Sequence, residues 1–232
     1  MKRTITILYA ILLTACASNL TREDISSDLG GIPTQYGDAK TVEEIRNLRP
    51  QATLPLKVVV MPPADRVDGL TIAERQIING WEKELQEIDF LSSLQIMPES
   101  LMPSCGYRAE QDCFLNTARA SAARLDADAI LFLNDSTKTD RYVNPLSMLN
   151  ITIIGMWFSP GHHRDSYSIY EGSLFDVNNG YLYAAAEGEG QRKSVRPFIY
   201  TDPSFGQDDA REEALSNLGV ELIKIAKSKF NS

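Results

Sequence analysis

Leu56-Lys-Val-Val-Val-Met-Pro-Pro63 is the stretch on which the fold turns. It is short, almost wholly apolar, rich in β-branched valine and closed by two prolines, which is how a buried strand reads by length and flanks. Eight residues later comes Thr71-Ile-Ala-Glu74, a capping box. In such a box the threonine hydroxyl and the glutamate carboxylate each accept from the other's backbone N–H and so start a helix. Ile78, Trp81, Leu85 and Ile88 follow at helical spacing, so a buried strand passes into an amphipathic helix. The alternation then repeats. Leu94-Gln-Ile-Met97 predicts a second strand, stopped by Pro98 and Pro103. From Cys113 to Leu125, Leu115, Ala118, Ala122 and Leu125 share one face of a second helix. Ala129-Ile-Leu-Phe-Leu133 is a third strand, whose uninterrupted apolar run predicts burial on both faces.

Beyond residue 140 the pattern changes to hairpins. Ile151 to Phe158 and Tyr167 to Val177 are β-rich runs, and Asn178-Asn-Gly180 marks a tight turn before Tyr181-Leu-Tyr183-Ala. A C-terminal helix puts Leu215, Leu218, Leu222 and Ile225 on one face. Its acids come early (Asp208, Asp209, Glu212, Glu213) and its lysines late (Lys224, Lys227, Lys229), an order that suits the helix dipole. The predicted fold is α/β (α+β): a mixed sheet of about five to six strands with helices packed mainly on one face, formed by residues 56–232 as a single domain.

Upstream, residues 16–55 read as a tether, punctuated by Gly30-Gly31, Pro33, Gly37 and Pro50. One short helical turn is predicted at a second capping box, Thr41-Val-Glu-Glu44. A flexible tether of about 40 residues would reach roughly 35 Å. Residues 1–15 belong to a different kind of segment. In Met-Lys-Arg-Thr-Ile-Thr-Ile-Leu-Tyr-Ala-Ile-Leu-Leu-Thr-Ala-Cys16 a basic pair precedes a short apolar core, far below the roughly 20 residues of a bilayer-spanning helix. Leu13-Thr-Ala-Cys16 resembles a bacterial lipobox. That resemblance implies a signal peptide over 1–15 and a mature N-terminus at Cys16, lipidated on sulfur and amino group, with more than one acyl chain for stable attachment. Ala17 and Ser18 after the cysteine, with no aspartate, resemble outer-membrane sorting and imply a lipid-anchored domain on the periplasmic face.

The chain carries a formal charge of −8, and losing Lys2 and Arg3 with residues 1–15 makes it −10. Such a balance excludes nucleic acid as a partner and gives no electrostatic hold on anionic lipid, so membrane contact falls to the acyl chains. Once Cys16 is lipidated, Cys105 and Cys113 remain. In an exported chain they predict a disulfide that pins a loop, since their spacing is not Cys-x-x-Cys. No metal site and no cofactor are expected. The two histidines, His162 and His163, are adjacent, and adjacent strand residues point to opposite faces.

Four further groups could carry chemistry. His162-His163 with Asp165, following Ser159-Pro-Gly161, reads as a solvated turn, since no Gly-x-Ser-x-Gly elbow accompanies it. Asp126 and Asp128 are assigned to the start of a strand, and Asp208 and Asp209 to a helix N-terminus, with no catalytic residue among them. Gly188-Glu-Gly190 lacks the third glycine or Gly-Lys-Ser/Thr of a phosphate loop. Tyr142 to Gly161 is rich in apolar residues, including Ile153, Ile154, Met156, Trp157 and Phe158. A lipid-facing pore strand requires alternation, which this stretch breaks twice, so it is read as core.

The strand ending in Pro62-Pro63, the Leu125-Asp-Ala-Asp-Ala129 junction and the Leu174-Phe-Asp-Val-Asn-Asn-Gly-Tyr-Leu182 hairpin resemble curli-secretion-type lipoproteins and the amino-terminal domain of the translocation protein TolB. Leu149-Asn-Ile-Thr-Ile-Ile-Gly-Met-Trp-Phe-Ser-Pro-Gly161 with the Asp176-to-Gly180 hairpin is similar to the rhombotarget lipoprotein family. That resemblance implies compartment and fold and supplies no activity. The C-terminal Lys229-Phe-Asn-Ser232 lacks the Gly-Gly, apolar and basic tail of a rhombosortase substrate. The expected role is a non-enzymatic, membrane-anchored envelope assembly or interaction module with an envelope protein partner. A curli-type secretion or pore component is the alternative, and a hydrolase using His163 a weaker one.

Overall fold

The computed structural model describes residues 20–26, 41–64, 66, 69–103, 112–143, 160–197 and 206–230. In chain order these form α1 (Glu23–Ser26), α2 (Val42–Asn47), β1 (Leu56–Met61), α3 (Ile72–Gln86), β2 (Leu91–Ile96), a 3-10 turn (Glu99–Leu101), α4 (Asp112–Arg124), β3 (Ala129–Val143), β4 (Pro160–Asp176), β5 (Leu182–Pro197) and α5 (Gln207–Phe230). The five strands make one sheet in the order β2-β1-β3-β4-β5. β1 runs parallel to β2 and β3, while β3-β4 and β4-β5 are antiparallel. The sheet is mixed and open, as the alternation of strands and helices requires. Among the described residues no helix is long and apolar enough to cross a membrane.

Each face of the sheet carries its own core. Leu56, Val58 and Val60 of β1, with Ala129, Leu131 and Leu133 of β3, pack with Ile78, Trp81 and Leu85 of α3 and Leu215, Leu218 and Leu222 of α5. Val59, Met61, Ile130, Phe132 and Phe175 face the other way, onto Leu115, Ala118 and Ala122 of α4. The parallel centre is thus buried on both faces, which is why β1 and the start of β3 read as unbroken apolar runs. Both capping boxes form: Thr41 with Glu44, and Thr71 with Glu74. The Asn178-Asn-Gly180 turn also forms, with Gly180 at φ 74° and Asp176 and Tyr181 closing it by a backbone hydrogen bond of 2.8 Å.

β3, β4 and β5 are 15, 17 and 16 residues long, far beyond the apolar runs that announce them. Past Leu133 the sequence turns polar, yet β3 pairs with β4 without interruption to Val143 opposite His162. One correction follows. His162, His163 and Asp165 are strand residues in β4, not a solvated turn, and Asp165 is only 2% exposed. Gly188-Glu-Gly190 lies within β5, where it serves packing. A Cβ on Gly188 would sit 2.2 Å from both the Ala214 carbonyl oxygen and the Leu218 nitrogen. On Gly190 it would sit 2.1 Å from the Ala210 carbonyl oxygen. At Gly188 and Gly190 helix α5 therefore lies backbone against backbone on β5, with no room for a side chain at either position.

One glycine substitution tests this contact and a second, remote from it, serves as the control. Gly188→Ala forces α5 away from the sheet and is expected to cost about 1–3 kcal/mol or more in chemical denaturation. Gly80→Ala, in α3 with nothing within 4 Å of its would-be Cβ, is expected to add about 0.5–1 kcal/mol.

Candidate functional site

The outer halves of the long strands hold an unusual density of buried polar groups. Period two puts Asp135, Thr137 and Thr139 of β3 beside Ser166, Ser168 and Tyr170 of β4, on the face that α5 covers. Ser166, Ser168 and Tyr170 have no exposed surface, and Asp135 has 7%. Because α5 sits so low over β5, the layer beneath its first turns is filled by small hydroxyl side chains. These pair across the strands: Thr137 with Ser168 at 2.9 Å, and Thr139 with Ser166 at 3.0 Å. Helix α5 reaches into the layer with two side chains. Gln207 donates to the Thr139 hydroxyl at 2.9 Å, and Arg211 donates to that of Thr137 at 3.2 Å. The Arg211 guanidinium also lies 3.5 Å from the Asp135 carboxylate.

Next to this layer is a buried ionic triad. Glu74 is fully buried, and its Oε1 accepts from Arg66 at 2.8 Å and from the Tyr170 hydroxyl at 2.7 Å. Its Oε2 accepts from the Thr71 N–H at 2.7 Å, so the capping box and the triad share one carboxylate. Burial alone would raise the Glu74 carboxyl, but the hydrogen bonds from Arg66, Thr71 and Tyr170 outweigh it and hold the group below the usual range. The Tyr170 hydroxyl is pushed well above its ordinary value, first by burial and then by the charges of Asp135 and Glu74.

A second buried carboxylate, Asp176, organises the β4-β5 hairpin. Its Oδ2 accepts from the backbone N–H groups of Gln51 and Ala52 at 2.9 and 3.2 Å and from the Tyr183 hydroxyl at 2.7 Å. Its Oδ1 accepts from the Asn178 N–H at 2.8 Å. Burial would raise this carboxyl too, and the four donors outweigh it, so it also titrates low. Asn179 donates to the Arg49 carbonyl at 2.7 Å, and Arg119 of α4 donates to the carbonyls of Val177 and Asn178. The chain entering β1 and helix α4 are therefore both tied to this turn.

The candidate residues read from the sequence do not converge. Asp126 pairs with Lys57 at 2.5 Å and Asp128 accepts from the Lys57 N–H at 2.9 Å, both at the start of β1. Asp208 and Asp209 sit in the first turn of α5, paired with Arg211 and Arg192. His163 pairs through its backbone with Tyr142 and Val195, and Asp165 with Asp140 and Lys193. Cys16, Cys105 and most of 142–161 lie outside the described residues, as does the Cys113 side chain in α4. Among the described residues no group of three or more His, Cys, Asp or Glu is placed to hold a metal ion. An enclosed apolar cavity between α3, α5 and the sheet, lined by Val58, Trp81, Leu131, Leu222 and Ala226 among others, measures about 30 Å³. That volume has room for about two water molecules and none for a drug-sized ligand.

The sequence reading missed the triad, although one signal was there. Glu74, Ile78, Trp81 and Leu85 are spaced by four, three and four residues, so a glutamate stands on the buried stripe of α3. A charge in such a place calls for a buried partner. Arg66 and Tyr170 carry no pattern that would single them out.

No family model matches the chain, and no curated protein matches it. Among solved structures it is similar to PelC of Paraburkholderia phytofirmans, crystallised as a dodecamer (14% identity, 73% of this chain, 86% of that chain, TM-score 0.34). It is similar also to the lipoprotein GNA1162 of Neisseria meningitidis (13%, 77% and 100%, TM-score 0.34). A third is a neuraminyllactose-binding hemagglutinin homolog from Helicobacter pylori (10%, 77% and 91%, TM-score 0.36). No residue here takes a role from these likenesses, and the rhombotarget resemblance stands on its quoted residues alone.

The low-titrating carboxyls set the acid limb of stability. A carboxyl whose folded pKa lies below its unfolded value stabilises the fold above the unfolded value, and that stabilisation is lost as pH falls through the folded one. Asp176→Asn is expected to cost about 1–3 kcal/mol at pH 7 and to shrink the loss of stability on acidification below the ordinary aspartate value of 3.8. Denaturant unfolding between pH 7 and pH 2 measures both, and an unchanged acid limb contradicts the assignment.

Proposed function

We propose that the protein is a non-enzymatic, lipid-anchored envelope module whose α/β domain binds another envelope protein. One observation carries the non-enzymatic part. The Glu74 carboxylate and the Tyr170 hydroxyl, both at the polar centre, are driven away from neutrality, Glu74 downward and Tyr170 upward, and each is hydrogen-bonded to the other and to Arg66. Acid-base catalysis near neutral pH asks for groups that titrate near the working pH. Glu74 and Asp176 instead spend their lone pairs on backbone N–H groups and neighbouring hydroxyls, which is how a carboxylate fixes a fold.

The anchor rests on Leu13-Thr-Ala-Cys16 behind a basic flank and a short apolar core. Cys16 is the lipidated mature N-terminus, the location is the periplasmic face of the outer membrane, and Cys105 and Cys113 form a disulfide that pins the loop before α4. Mass spectrometry of the membrane fraction is expected to show an N-terminal peptide starting at Cys16 with a diacylglyceryl group and an amide-linked acyl chain. A peptide starting at any other residue, or an unmodified Cys16, contradicts it. Thiol labelling in denaturant without reductant is expected to find neither Cys105 nor Cys113 reactive, and two reactive thiols per chain exclude the bridge. In-envelope crosslinking of the lipidated chain, followed by identification of the joined protein, tests the binding role.

A further inference from the structure

The face of the long strands opposite α5 is not bare. The segment Leu20–Ser26 lies across it, with Leu20 5% exposed and Ile25 fully buried in a cluster with Tyr167 and Ile169 of β4. Polar contacts hold its register. Arg22 pairs with Glu187 at 2.6 Å and with Glu189 at 3.7 Å, both on β5. The Tyr167 hydroxyl donates to Glu189 at 2.5 Å, and the Lys138 ammonium of β3 donates to the Asp24 carbonyl at 3.2 Å. One segment thus touches all three long strands. Aspartate and threonine tie it internally as well, since the Thr21 N–H and hydroxyl both donate to Asp24 at 2.9 Å.

The position of this segment in the chain gives the contact its consequence. Ala17, Ser18 and Asn19 alone separate Cys16 from the buried Leu20. Four residues of fully extended chain span roughly 14 Å, whereas a free tether of about 40 residues reaches roughly 35 Å. We propose that residues 20–26 are a docked strap that holds the domain at the bilayer surface and turns the strap-bearing face of β3–β5 toward the lipid headgroups. This rests on lipidation of Cys16, and the strap itself does not. The connection between residue 26 and Thr41 then adds nothing to the domain's height, because the force path from lipid to domain ends at Ile25.

Two insertions separate a docked strap from a free tether. A 12-residue Gly-Ser insert after Ser18 lies between lipid and strap, and the same insert after Gly31 lies beyond it. Neutron reflectometry of the lipidated full chain on supported bilayers of phosphatidylethanolamine and phosphatidylglycerol reads the gap between headgroups and domain. The insert after Ser18 is expected to widen the gap by about 10 Å, and the insert after Gly31 to leave it unchanged. Equal widening by both inserts, widening by the second alone, or no change with either overturns the strap. Hydrogen exchange on the same preparation in detergent gives an arm that does not depend on acylation. The Asp24 and Ile25 amides are expected to be protected, and Leu20→Ser with Ile25→Ser to abolish that protection. Intact mass reports acylation separately. An unacylated Cys16 with a protected strap defeats the anchor and spares the dock, while an acylated chain with an unprotected strap defeats the dock alone.

Discussion

Helix α5 lies so close to β5 that the gap between them fixes how the layer beneath the helix is filled. Gly188 and Gly190 leave the strand surface flat under Ala210 and Ala214, so helix and sheet meet through backbone. Gly219, higher on the same helix, lets the Trp81 indole of α3 come to 2.0 Å from where a Cβ would be. These three glycines set the height of α5 above the sheet and the distance between the two helices that share its face. Interiors are packed as densely as organic crystals, so a helix fixed this low dictates what fits beneath it. Under its C-terminal half that is Leu131, Leu174 and Trp81; under its N-terminal half it is serine and threonine.

That division explains why the outer half of the sheet is polar and still buried. Hydroxyl pairs such as Thr137 with Ser168 satisfy one another across a non-aqueous layer, and Arg211 and Gln207 complete it from above. A buried polar group without a partner costs free energy, so the layer is stable only while α5 stays in place. The Glu74 triad extends the same logic to α3: one carboxylate caps the helix, receives Arg66 and receives Tyr170. The helices on this face are thus locked to the sheet by directional bonds as well as by apolar area.

Much of this was legible in the sequence, and the exceptions share a cause. The β-α-β-α-β order, both capping boxes, the Asn-Asn-Gly turn and the apolar stripe of α5 all follow from local pattern, and they form as read. The hydrophobic run of β3 ends at Leu133, so local pattern predicts that the strand ends there too. It continues ten residues further because β4 and α5 supply hydrogen-bonding partners for the polar side chains, and those partners come from elsewhere in the chain. The same holds for His162 to Asp165, which look like a turn after Ser159-Pro-Gly161 but are paired on both sides by β3 and β5. Gly188-Glu-Gly190 lacks the pattern of a phosphate loop, and its packing role appears only once α5 is laid on it. Glu74 alone left a readable trace, as a charge on a buried stripe. Non-local partners are what a single sequence shows least.

Native-state hydrogen exchange along α5 and the outer halves of β3, β4 and β5 tests the central claim most directly. If the glycine contact locks helix to sheet, the amides of α5 over Gly188 and Gly190 and those of residues 134–140, 165–170 and 187–192 open together, with one common free energy close to that of global unfolding. Contradiction would be an α5 that exchanges freely while the strands stay protected, or polar outer strands that open well before the helix above them.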